Sequence, residues 1–136
     1  DLINIKKNLK NLKINPDDPI LFSFCFILHE LKFNKKNNMK KYLNKLVKYY
    51  PNSKVLICEI NNIDSKMISD NKLNTILPEF YFFHKISNQK LFPQKLLKNE
   101  IKLSKYKIEK ELNFDFIDYE KQKIPSIYFY FLDTKF

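Results

Sequence analysis

Two acid–base groups stand at the ends of apolar runs. Residues 20–31, ILFSFCFILHEL, close on His29 and Glu30, and residues 54–60, KVLICEI, carry Glu59 next to their last position. A neutral imidazole is the side chain best suited to take a proton from a hydroxyl near neutral pH. A carboxylate bonded to the second ring nitrogen would fix the tautomer and stabilise the imidazolium that forms. His29 and Glu59 are therefore the candidate catalytic pair. Glu30 reads as a solvated carboxylate at a helix start, where the helix dipole favours negative charge. The second histidine, His84, lies in the aromatic segment LPEFYFFHKI beside Phe80, Tyr81, Phe82 and Phe83. Phe83 and His84 read as pocket wall and are the candidate substrate-binding residues. Cys25 and Cys58 lie inside the two apolar runs with no CxxC or metal-ligand spacing, as expected of reduced core thiols. A disulfide between neighbouring parallel strands is sterically awkward. No metal site is expected.

Positioning the pair requires a strand, a helix and a second strand. The turn NPDDP at 15–19 stops an entry segment rich in Lys and Asn and starts a strand at 20–28. That strand is apolar on both faces, as in the centre of a parallel sheet covered by helices on each side. Over 35–50, Met39, Tyr42, Leu43, Leu46, Val47 and Tyr50 recur at helical spacing with lysines between them. Pro51 and Asn52 end this amphipathic helix, and a second buried strand follows at 54–60. A right-handed crossover brings the two strands side by side, so His29 and Glu59 converge on the rim where ligands bind in open α/β sheets. Farther along, 64–76 reads as polar loop or weak helix. Pro93 opens a helix over 93–103 with Leu96, Leu97 and Ile101 inward. KIEKELNFDFIDYE, a turn through KQKIP, and SIYFYFLDT at 126–134 form an antiparallel pair closing the sheet edge.

With these elements in place, the chain resembles the C-terminal half of a class I S-adenosylmethionine-dependent methyltransferase, and is most similar to small-molecule O-methyltransferases. The resemblance covers most of residues 17–134. Its strongest part is DDPILFSFCFILHEL followed by YPNSKVLICEI, and weaker parts are PEFYFFHKISNQ and FDFIDYE…IPSIYFYFLD. It implies a partial Rossmann-like α/β sheet with parallel central strands and an antiparallel C-terminal strand pair. It implies His29 as general base on the substrate hydroxyl, Glu59 as the acid that orients it, and S-adenosyl-L-methionine as methyl donor to a hydroxyl or amine of a small molecule. Cofactor binding in that family needs a glycine-rich loop, and this chain has no glycine. An N-terminal half or a partner subunit is therefore expected to hold the cofactor. The alternatives are a catalytically inactive Rossmann-like subunit that stabilises a partner, and a basic RNA-associated domain.

The 136 residues suffice for one modest domain spanning 1–136, and no repeat or linker divides them. At 44% hydrophobic and 15% aromatic, the chain is not a disordered tail. No apolar stretch approaches the roughly 18–20 residues needed to cross a bilayer, and DLINIKKNLK is not a signal peptide core. A cytoplasmic protein with no membrane partner is expected. The net charge of +10 comes entirely from Lys, since the chain has no Arg, the residue that gives bidentate readout of phosphate and guanine. Specific nucleic-acid binding is not expected, and the lysine-rich stretch from Lys95 to Lys110 reads as a solvated face.

Overall fold

The computed structural model describes residues 14–26, 28, 38–60, 94–117 and 123–135. In order these form β1 (Ile20–Cys25), α1 (Asn38–Tyr49), β2 (Ser53–Ile60), α2 (Gln94–Lys102), β3 (Tyr106–Ile117) and β4 (Lys123–Thr134). The fold is mixed α/β. Its described strands make one mixed sheet in the order β1-β2-β4-β3, with β1 and β2 parallel and β4 antiparallel to both β2 and β3.

The core lies on one face of this sheet. There Phe24, Val55, Ile57, Tyr128, Tyr130 and Leu132 meet Met39, Tyr42, Leu43, Leu46 and Val47 of α1 and Leu97 and Ile101 of α2. The helical period places those side chains in one stripe on each helix, and burying the stripe is what holds a helix this short in place. Two edge-to-face ring pairs, Phe24–Tyr42 and Phe22–Tyr50, fasten α1 and the residue that follows it to β1.

Local bonds set the ends of the elements. The starts of β1 and β2 are tied together where the Asn52 side-chain amide donates to the Asp17 carbonyl at 2.8 Å, and Asn15 Oδ1 accepts from Asp17 N within the first turn. α1 has no acid in its own first turn. Glu100, buried on α2, supplies one, accepting from Lys40 N at 2.9 Å. At the same C-terminal end of α2, Ser104 Oγ donates to the Ile101 carbonyl, and Lys135 Nζ donates to the carbonyls of Lys102 and Ser104.

Three expectations are corrected. The first strand is not buried on both faces. It is the outermost described strand, only its Ile20, Phe22 and Phe24 side turns to the core, and Leu21 is 59% exposed. Continuous apolar character cannot distinguish a covered strand from an edge strand with one open face. The strand also stops at Cys25 and does not run to residue 28, because Phe26 takes a left-handed backbone with φ of 53°. On α2, Leu96 is exposed, and the third inward residue is Glu100. The other elements that fall within the described residues lie where their periodicity puts them, within a few residues at each end, and the segments 64–76 and 77–86 lie outside the described residues.

Among the described residues no helix is long and apolar enough to cross a membrane. Of the lysines between Lys95 and Lys110, most are solvated. Lys98 is the exception, pairing with Glu111 at 2.7 Å.

Candidate active site

The strand ends converge around Glu59. Its carboxylate is buried on the core face of β2, and Glu59 Oε1 accepts the backbone N–H of Leu28 at 2.6 Å. Phe26 makes that contact possible. Its N–H still donates to the Cys58 carbonyl at 2.8 Å, as the next rung of the ladder would, but its left-handed backbone turns the chain off the sheet. Leu28 then returns to the core with no exposed surface. A non-glycine residue in this conformation costs about 1 kcal/mol or more, and such strain is characteristic of positions that aim a functional group.

His29 follows directly after Leu28. It lies outside the described residues, as do Glu30, Phe83 and His84. The structure therefore describes Glu59 and the chain position adjoining His29.

Two further groups near Glu59 were not singled out by sequence. Tyr128 is its register partner on β4, and Tyr130, opposite Ile57, is the next residue on the same face. Their rings are 5.0 Å apart, and both are fully buried. Neither hydroxyl has a hydrogen-bond partner of good geometry. Burial raises both phenols far above the ordinary tyrosine value, and the Glu59 charge adds to the rise at Tyr128. The Gln94 amide pulls Tyr130 the other way without completing a hydrogen bond of good geometry, while Lys98 Nζ sits 5.7 Å from the Tyr130 ring centre. Both hydroxyls stay protonated at physiological pH. The period-two pattern of SIYFYFLD already placed Tyr128 and Tyr130 on one face, but the facing residue could be identified only from the register.

The same rim bears an apolar hollow on the opposite face of the sheet. It has a volume of about 260 Å³ and is lined by Phe114, Asp115, Ile127 and Phe129. Ile127 pairs with Ile60, so the hollow lies beside the end of β2, behind Glu59. Among the described residues no group of His, Cys, Asp or Glu could hold a metal ion.

Cys25 and Cys58 are both free thiols. Cys58 is buried as expected, but Cys25 is exposed, because β1 has an open face. The chain matches no family model and no curated protein.

Proposed function

We propose that this chain is the substrate-side half of a methyltransferase-like fold, with His29 as general base and Glu59 as the carboxylate that orients it. The Leu28 N–H to Glu59 bond carries the reading: it anchors the chain one residue before His29 to the acid at the end of the neighbouring strand. The strand pairing supports it as well. A parallel β1–β2 pair beside an antiparallel β3–β4 pair matches what the resemblance implies for the C-terminal half of a class I methyltransferase.

In this reading the acceptor is a hydroxyl, or an amine, of a small molecule. His29 takes the proton from the acceptor as it attacks, and Glu59 holds the imidazole in the orientation that presents its free nitrogen. Alignment supplies much of the rate, because methyl transfer needs little else from the protein. The cofactor does not fit this chain by itself. S-adenosylmethionine supplies the methyl group in this family, but its cradle needs backbone that approaches without a Cβ, and no glycine is present. Its binding is assigned to an N-terminal half or partner subunit. The glycine-free sequence is also compatible with a second reading, an inactive Rossmann-like subunit that stabilises a partner.

The deciding experiment is methyl transfer by the complete protein. Labelled S-adenosylmethionine is incubated with a panel of small alcohols, phenols and amines, and labelled product is counted. Product that disappears in a folded His29→Ala variant supports the enzyme. A folded complete protein that labels no acceptor refutes it and leaves the subunit reading.

A further inference from the structure

Cys25 and Cys58 are the only cysteines in the chain, and the sheet places them directly opposite one another on β1 and β2. Both side chains therefore leave the same face of the sheet, the one turned away from α1 and α2. Adjacent strands lie about 4.8 Å apart, inside the Cα separation of roughly 4.4–6.8 Å that a disulfide spans. Cys25 is close enough to help raise the Cys58 thiol, and Ser23 Oγ lies 3.3 Å from Cys25 Sγ. Their surroundings differ. Cys25 is open to solvent on the outermost described strand, whereas Cys58 is buried.

We propose that Cys25 and Cys58 form an oxidisable dithiol, which hydroperoxides convert reversibly to an intramolecular disulfide. The exposed Cys25 reacts first. Its thiolate attacks the terminal peroxide oxygen, the O–O bond breaks, and water or an alcohol leaves. The sulfur is oxidised to a sulfenic acid and the peroxide is reduced. Cys58 sulfur then attacks the Cys25 sulfur. The S–S bond forms, the S–O bond breaks, and the departing hydroxide leaves as water with the Cys58 proton. Burial, reinforced by the neighbouring Cys25 and Glu59, pushes the Cys58 thiol up to about 12. Cys58 is thus a poor first target and acts only on a sulfenic acid already beside it.

The parallel pairing makes the bond reversible. Cross-strand Cβ atoms start nearly as far apart as the strands themselves, beyond the roughly 3.8 Å typical of a disulfide. Closing it draws β1 toward β2, which an outermost strand permits more readily than an inner one. A disulfide under such strain is easily reduced.

The test uses the full chain, reduced and then exposed to hydrogen peroxide, with remaining thiols blocked by a maleimide before intact-mass and non-reducing peptide analysis. The expected result is the loss of two hydrogens, no maleimide adduct, and a crosslinked peptide pair containing Cys25 and Cys58 that dithiothreitol separates. Cys58→Ala should instead accumulate a sulfenic acid at Cys25 that dimedone traps, and Cys25→Ser should leave Cys58 unoxidised at the same dose. Sulfinic or sulfonic acid at Cys25 without a crosslink, crosslinks only between chains, or two intact thiols after treatment would each overturn the proposal. So would oxidation of Cys58 in the Cys25→Ser protein.

Discussion

The backbone N–H of Leu28 and the carboxylate of Glu59, 31 positions apart in sequence, meet at 2.6 Å inside the protein. Two effects of Glu59 can therefore be measured separately. Glu59→Ala leaves the buried Leu28 N–H unpaired and should cost about 1–3 kcal/mol in denaturant unfolding. Glu59→Gln keeps a carbonyl acceptor there and should cost clearly less.

On the proposed function, kinetics should follow a different order. His29→Ala is expected to lower kcat of the complete enzyme by roughly 10²- to 10⁴-fold with cofactor affinity little changed. Glu59→Gln should lower it less, and the two losses should be less than additive because both disable one unit. Full activity in a folded His29→Ala protein would remove both residues from the site.

Glu100 serves α1, although it belongs to α2. Replacing it with Ala removes the acceptor for Lys40 N and should destabilise the fold by about 1 kcal/mol, as loss of a helix cap does. Because the bond joins two helices, hydrogen exchange in the first turn of α1 should rise in the variant more than exchange in β2. Equal protection throughout would show that the cap is not formed.

At high pH the tyrosines should govern stability. Burial pushes Tyr42 from 10.0 up to about 12, and raises Tyr128 and Tyr130 further. Folding thus favours their protonated forms, while the unfolded chain ionises near the ordinary value. The stability they add is complete below 10.0 and declines as the pH rises from there through the raised values. Tyrosinate absorbance should accordingly appear together with loss of helical circular dichroism. Independent ionisation of all eight tyrosines near the ordinary value in a folded protein would contradict this.

Glu111 behaves in the opposite sense. Slight burial raises its carboxyl, but the bonds from Lys98 and Asn113 outweigh that and hold it below its usual value. The contribution is present above the ordinary carboxylate range and fades as pH falls through the lowered value. Since Lys98 is 43% exposed, Lys98→Ala should cost only about 0.5 kcal/mol at neutral pH and nothing in strong acid.

Periodicity made the elements readable and burial less so. Met39, Tyr42, Leu43, Leu46 and Val47 defined α1 because one helical stripe faces one core. The alternation in SIYFYFLD put Tyr128, Tyr130 and Leu132 on one face of β4, but both faces are apolar and only the structure shows that this one is buried. The open side of β1 was hidden because Leu21 and Cys25 are as apolar as their buried neighbours, and sequence carries no mark of strand order. The left-handed turn at Phe26 was hidden too, since an aromatic residue is an unusual choice for that conformation. Glu100 carries no signal in the sequence of a lysine-rich helix, because its use as a cap depends on a contact 60 residues away. The place of Glu59 near the end of β2 was legible, whereas Tyr128 and Tyr130 became its neighbours only through register.

The position of β4 sets the order in which the molecule can be assembled. It is the last of the described strands to leave the ribosome, yet it lies between β2 and β3. Until residues 123–134 emerge, the side of β2 that will receive β4 presents unpaired backbone groups, and β3 has no place in the sheet. Completion of the sheet therefore waits for β4 and depends on pairings distant in sequence, which makes folding slow relative to a helical chain of equal size. During that interval the β2 edge is an apolar strand able to pair with another nascent chain, so high-level expression should expose an aggregation hazard that the finished protein has covered.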